Sequence, residues 1–198
     1  MSMNKLGNGI YATGVLSLAT GHYEDALSVR EAELSMLRRI GAPATNILIA
    51  QGNLASTYRR LGQLERALQM QRDAYSGWVK LNGEENEETL RAVLNYADSL
   101  TSLDRFEEAK ALFRKTIPIA RRVLGNNNET TIRIRWNYAE ALYRNPAATL
   151  AELREAVTTL EDTTRIARRV LGGAHPLTID IEDDLQDARD ALYARGLP

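Results

Sequence analysis

The stretch NLASTYRRLG (residues 53–62) decides the fold, because similar stretches follow it twice at a fixed distance. The chain reads NYADSLTSLD from Asn95 and NYAEALYRNP from Asn137, so both intervals (95 − 53 and 137 − 95) are 42 residues long. A fixed period in this range is typical of repeat architectures, in which every repeat is one small structural unit that stacks on its neighbours.

Each repeat predicts two helices joined by a turn. The opening stretch is followed by a second amphipathic segment, at 64–83 and again at 106–125, and each ends in Gly, the usual residue just past a helix. Polar turns with Asn and Thr follow at 84–89 and 126–131 and suit helix N-caps. Nothing alternates with period two, so the pattern predicts helix–turn–helix repeats and no sheet.

Small residues mark where the two helices of a repeat come close together. Ala55, Ala97 and Ala139 occupy this place on the first helices, and Ala67 and Ala109 on the second helices. One helix pair cannot cover its own apolar face, so stacked neighbours must complete the core.

The repeats predict an all-α protein, a right-handed α–α superhelix of about four helix pairs plus a C-terminal capping helix. A disordered start at 1–5 precedes a single array over 6–198, with units at about 8–42, 43–84, 85–126 and 127–173 and the cap at 176–195. A terminal helix with a charged outer face is the cap that such arrays need. The last unit has five extra residues within 144–156, where Asn145 and Pro146 suit an N-cap followed by the first helical position. We therefore expect a longer connection or an extra turn there.

Composition excludes several classes of function. The 25 Lys and Arg against 26 Asp and Glu give a net charge of −1, which argues against a nucleic-acid partner. The sequence has no cysteine, which excludes disulfides and thiolate metal sites and is compatible with the cytoplasmic location that we expect. No apolar run approaches the roughly 20 residues that span a bilayer, so we expect no membrane partner.

The sequence offers no arrangement for catalysis. His22 and His175 are the only histidines, and both fall in predicted turns or caps. There is no HExxH metal motif, no GxxxxGK[ST] phosphate loop, and no serine with a recognisable His partner. We expect neither an enzyme, nor a metal site, nor a cofactor.

The small and aromatic residues of the repeat resemble those of the tetratricopeptide repeat (TPR). Leu54, Ala55, Tyr58, Gly62 and Ala67 fall on its signature positions. The 42-residue period, the NLA..Y opening and the ARRVLG..HP.T close (167–178) look more specifically like kinesin-light-chain-type repeats, and the resemblance covers roughly residues 10–196.

This resemblance implies a protein-binding scaffold. In that family, asparagines on the first helices line an inner groove and hold an extended peptide by its backbone. By motif position, Asn53, Asn95 and Asn137 match them.

The residues themselves favour a polar groove beside the apolar packing faces. Steps of −4, +3 and +7 from each Asn trace one stripe per repeat, and these stripes are largely polar. An amide can both donate to and accept from a peptide backbone, arginines favour carboxylates, and Trp136 could supply a flat apolar contact. The predicted groove residues are Asn53, Asn95, Asn137, Arg60, Arg91, Arg133, Trp136 and Arg144.

Each of these residues also has a structural explanation. The amides could bond the helix of the next repeat, Trp136 could be a packing residue, and the arginines could form local ion pairs, for which Asp98 and Glu140 lie on the same stripes.

The sequence thus predicts a non-catalytic scaffold, a monomer or weak homodimer, that binds a protein or peptide partner with acidic residues in its concave groove. The alternative is a self-association or autoinhibitory module of a longer protein.

Overall fold

The computed structural model describes residues 22–196, which form eight α-helices and no strand. The all-α prediction is therefore confirmed for this range. The helices are α1 (22–39), α2 (Ala44–Arg60), α3 (Leu64–Asn82), α4 (Glu87–Thr101), α5 (Phe106–Val123), α6 (Glu129–Tyr143), α7 (Leu150–Val170) and α8 (Pro176–Gly196). The predicted disordered start at 1–5 and the first helix of the unit at 8–42 lie outside the described residues.

The described residues divide into two compact units, 22–74 and 75–196, with the boundary inside α3. The single continuous array over 6–198 stays a prediction.

In the first unit, α1, α2 and the start of α3 enclose one small core. Its buried side chains are Leu34, Ala50, Leu54, Tyr58 and Ala67. The Tyr58 hydroxyl donates to Glu31 of α1 over 2.5 Å, and this hydrogen bond raises the pKa of the tyrosine. The periodic apolar residues of α2 thus pack this helix against α1 and α3.

In the second unit, each first helix packs on the second helix of its own repeat and on the first helix of the next. α4 contacts α5 and α6, and α6 contacts α7 and α8. The Cα atoms of α5 and α7 all lie more than 8 Å apart, whereas α4 contacts α6 and α6 contacts α8. The first helices therefore form one continuous wall of this unit. The largest fully buried apolar side chains between the helices include Leu90, Leu100, Phe113, Ile132, Ile134, Leu142, Leu153, Leu160 and Ile181.

The five extra residues of the last repeat are shared between a loop and a helix. Residues 144–149 make a six-residue connection where 102–105 make four, and α7 has 21 residues where α5 has 18. The expected longer connection is therefore present, together with nearly one more helical turn.

The start of α7 was predicted wrongly. Asn145 and Pro146 do not begin the helix; they form a turn in which Ala148 N–H donates to the Asn145 carbonyl over 2.9 Å. The true N-cap is Thr149, whose side chain and that of Glu152 each bond the other's backbone N–H. Proline fits the second position of a turn as well as the first position of a helix, so the dipeptide alone cannot distinguish the two.

A buried lysine ties α5 to α7. Lys110 is 0 % exposed, and its Nζ lies 2.5 Å from Glu152 Oε1 and 2.6 Å from Glu107 Oε1. Burial alone would lower the pKa of Lys110, but the two glutamates raise it above its usual value. The Lys110 ammonium and the Thr149 backbone together hold the pKa of Glu152 at about 2.

Removing the charge of Glu152 should therefore destabilise the protein. Glu152→Gln keeps a side chain that can complete the cap but leaves the buried ammonium underpaired, so we expect the free energy of unfolding at neutral pH to fall by about 3 kcal/mol. Because the folded-state pKa lies below the usual 4.5, this contribution is complete above pH 4.5 and is lost as the pH falls towards 2. Urea denaturation of both proteins across this range measures it.

The matched control is Glu161→Gln, which removes a carboxylate from an exposed pair with Arg189 on α8. It should change the stability by less than about 1 kcal/mol. Equal losses for the two variants would contradict the role assigned to Lys110.

One turn between helices carries a strained residue. Gly62 ends the turn after α2 with φ of 73°, and Asp104 stands at the corresponding place after α4 with φ of 57°. This left-handed conformation favours glycine because other residues bring Cβ too close to the backbone.

We expect Asp104→Gly to raise the free energy of unfolding by up to about 1 kcal/mol in thermal denaturation. Gly125→Ala should lower it by about as much. The Gly125 φ is 85°, and an added Cβ would meet no atom within 4 Å, so only the backbone conformation is tested there. A stabilising effect of the alanine would refute this explanation.

The last helix, α8, spans Pro176–Gly196. The first residue of α8 lies 47 residues after the first residue of α6 (176 − 129). Gln186 and Arg189 therefore stand where α6 has Ala139 and Leu142. The two α6 residues are fully buried and the two α8 residues are exposed. At these two positions α8 is thus polar where α6 is apolar, whereas Ile179, which stands where α6 has the buried Ile132, is an exposed apolar side chain.

Candidate functional site

A cleft of about 460 Å³ opens between the N-terminal halves of α4 and α6, within the second unit. Three of the eight predicted groove residues meet there: Arg91 and Asn95 from α4 and Arg133 from α6. The other lining residues are Glu87, Leu94, Asn128, Glu129 and Thr130.

Two equivalent N-caps set the two walls of the cleft in register. The Asn86 side chain accepts from Glu88 N–H over 2.9 Å, and Asn128, one period later, accepts from Thr130 N–H over 2.8 Å. Because α4 and α6 begin at equivalent positions, Arg91 and Arg133 occupy equivalent places on adjacent helices.

Each arginine of the cleft is paired with glutamates of its own helix. Arg91 lies 3.1 Å from Glu87 and 3.5 Å from Glu88, and Arg133 lies 2.8 Å from Glu129. All these side chains are about half exposed, and ion pairs of this kind are weak. Arg91 and Arg133 therefore pair with the preceding glutamates, while Glu140, considered from the sequence, pairs with Arg144 over 2.9 Å.

The three predicted asparagines differ in exposure but share one property. Asn53 and Asn95 are exposed, and Asn137 is half-buried one turn beyond Arg133. Within residues 22–196, no hydrogen bond of their side-chain amides is found, whereas the backbone carbonyls of Asn53 and Asn95 accept from neighbouring side chains. The interhelical amide ladder that the sequence left open is not seen among these residues.

Arg60 belongs to the first unit, like Asn53. Its guanidinium lies over the ring of Tyr23 of α1, 5.8 Å from the ring centroid. Its contact is thus with the preceding helix.

Trp136 and Arg144 take part in a cluster around a buried carboxylate of α8. Asp184, 6 % exposed, accepts from Trp136 Nε1 over 2.6 Å and from the Tyr143 hydroxyl over 2.7 Å. An Arg144 nitrogen lies 3.5 Å from the same carboxylate and another lies 2.9 Å from Glu140. The cluster joins α6 to α8.

The charges of this cluster influence one another. Burial raises the pKa of Glu140; Arg144 opposes this rise, and Asp184 and Asp98 add to it. Burial and the hydrogen bond to Asp184 raise the pKa of Tyr143, so the phenol stays protonated and donates. Arg144 thus partly offsets the effect of burial and of the neighbouring carboxylates on Glu140.

The structure shows no arrangement for metal binding in residues 22–196, where no three potential metal-ligating side chains cluster. His175 accepts the Leu177 N–H at its Nδ1 over 3.2 Å, at the start of α8. No helix in the described range is both long and apolar enough to cross a membrane.

A model of the tetratricopeptide repeat family matches residues 46–119 and 88–145, which together cover 46–145 and thus just over half of the chain. The chain is a tetratricopeptide repeat protein. Its predicted family and fold class are therefore confirmed.

Solved structures support the TPR fold. The chain is 19 % identical to a protein from Podosopora anserina assigned as a kinesin light chain with nearly identical TPR-like repeats, with a TM-score of 0.71 over 92 % of this chain and 86 % of that chain. A single-residue variant of that protein gives 19 % identity and a TM-score of 0.73 over 92 % and 85 %. BtubC (BKLC) from P. vanneervenii, 14 % identical, gives 0.59 over 87 % and 75 %. A search of curated proteins finds no significant match.

Asp184 is the residue of this TPR protein that the sequence interpretation missed. It lies 47 residues after Asn137, at the same distance from its helix start, and so continues the column of asparagines. The 42-residue period leads to Ile179 instead. An alignment of HPLT (175–178) with NETT (128–131) leads to Asp184.

Replacing Asp184 should loosen α8. Asp184→Ala leaves the Trp136 N–H and the Tyr143 hydroxyl without their acceptor, so we expect the free energy of unfolding to fall by about 2–3 kcal/mol in urea denaturation. Added formate, which can return a carboxylate to the gap, should recover part of this loss.

The control is Asp183→Ala, at an exposed neighbouring position, which should change the free energy of unfolding by no more than about 0.5 kcal/mol. The same loss in both variants would refute the assignment.

Proposed function

We propose that this protein is a non-catalytic scaffold that holds an extended segment of a partner protein in the cleft between α4 and α6. TPR repeats generally mediate interactions between proteins, and families of this kind are generally non-enzymatic. The observation that carries the proposal is the meeting of Arg91, Asn95 and Arg133 in one cleft.

The cleft has the groups that a peptide backbone needs. Asn95 is exposed, and its amide has no hydrogen bond within residues 22–196, so it can donate to a carbonyl and accept from an N–H of a bound chain. Thr130 adds a hydroxyl, and Leu94 adds a half-buried apolar contact. A cleft of this volume, taken as a sphere, is roughly 10 Å across. An extended chain advances about 3.3 Å per residue, so the cleft takes about three residues.

Asn137 and Arg144 would extend this binding along α6, and Asn53 and Arg60 are the corresponding residues of the first unit. Trp136 is less available, since its indole N–H is held by Asp184. The cleft alone carries the proposed peptide binding.

Peptides selected from a displayed random library against the whole chain test the proposal. The double variant Asn95→Ala, Arg133→Ala should weaken binding of a selected peptide at least about tenfold by calorimetry, because it loses one amide and one charged donor. The matched variant Asn126→Ala, Arg122→Ala changes the same residue types outside the cleft and should leave affinity unchanged. Unchanged affinity in a folded Asn95→Ala, Arg133→Ala protein would refute the groove.

Self-association is the alternative, and two polar residues of α8 disfavour the form in which a second copy stacks on them. Gln186 and Arg189 replace the buried Ala139 and Leu142 of α6, so a second copy stacked there would bury polar groups.

A further inference from the structure

The charges of the cleft form two similar pairs, one on each wall. On α4, Glu87 pairs with Arg91 over 3.1 Å, and on α6, Glu129 pairs with Arg133 over 2.8 Å. In both pairs the glutamate precedes the arginine by four residues, so one helical turn holds both charges on the same face.

The arginines do not give the cleft a positive surplus. Of the residues that line the cleft, Glu87 and Glu129 contribute two negative charges against the two positive charges of Arg91 and Arg133. The remaining lining residues are uncharged. A cleft of 460 Å³ taken as a sphere is roughly 10 Å across, close to the Debye length of about 8 Å at physiological ionic strength. Its carboxylates therefore act on any charge that enters.

A uniformly acidic segment fits this arrangement poorly. A carboxylate that takes Arg91 or Arg133 from its own glutamate leaves that glutamate nearby as a like charge. A basic side chain that takes Glu87 or Glu129 from its own arginine likewise leaves that arginine nearby as a like charge. A segment with one charge of each sign pairs with a glutamate and an arginine together, so every charge keeps a partner. Exposed pairs of this kind are weak and can exchange partners readily.

We infer that the cleft selects an extended segment with one acidic and one basic side chain within about three residues. This inference rests on the proposed function, because it names the kind of segment that the same cleft holds. It replaces the acidic partner expected from the arginines alone.

Three serine–glycine peptides that differ only at the centre, Glu-Ser-Lys, Glu-Ser-Glu or Lys-Ser-Lys, test the charge selection. Titration into the 15N-labelled whole chain, followed through the side-chain amide signals of Asn95 and Asn128, reports binding in the cleft itself. The mixed peptide should bind about fivefold more tightly than either of the others.

The double variant Glu87→Gln, Glu129→Gln leaves both arginines without their main partners, so the acidic peptide should become the tightest binder. The control Glu161→Gln, Glu182→Gln removes two carboxylates from ion pairs between α7 and α8 and should keep the preference for the mixed peptide.

The inference is overturned if the acidic peptide binds the unaltered chain most tightly, or if the Glu87→Gln, Glu129→Gln variant keeps the original order. Binding of all three peptides with equal affinity would also overturn it while leaving the proposed function intact. If none of the peptides shifts the two amide signals, while the peptides selected from the library do, the inference fails alone. If neither set shifts them, the proposed function fails as well.

Discussion

Each repeat depends on alanines that are completely buried in a pair of helices that pack on each other. Ala97 of α4 and Ala109 of α5 are both 0 % exposed, and so are Ala139 of α6 and Ala156 of α7. A larger side chain at these points would separate the helices, and overpacking of a close-packed core is destabilising. With the pair fixed, the remaining apolar faces can only be covered by the next pair, and the groove residues then lie on adjacent first helices.

Much of this fold is readable from the sequence, because the repeat fixes three kinds of residue at once. The glycines after the second helices, the alanines at the crossings and the polar N-caps all follow the same period, and Asn86 and Asn128 cap helices as that pattern predicts. The start of α7 was not readable, because Asn145 and Pro146 suit a turn and a helix start equally. What decided between them was Glu152, whose side chain completes the Thr149 cap and reaches Lys110.

The candidate site was predictable in position more than in chemistry. Arg91, Asn95 and Arg133 meet because the period places them on equivalent turns of adjacent helices. Their charge balance was misjudged because the preceding glutamates were not paired with them, although the i,i+4 spacing is visible in the sequence. Asp184 was missed for a different reason, since five inserted residues shift the register of the last helix. A fixed period finds equivalent positions only until the first insertion.

Two polar residues of α8 have a consequence for building longer proteins from these repeats. A new unit attached after α8 would have to pack on Gln186 and Arg189. The helix next to it, α8, would also present Asp184 at the position where α6 has Asn137. A copy of the unit at 85–126 inserted ahead of residue 127 meets neither obstacle, because α6 already offers Ala139 and Leu142 to its neighbours and α8 keeps its own attachment. Lengthening from within therefore keeps the packing residues that are already present, whereas lengthening after α8 would first require Gln186 and Arg189 to be replaced.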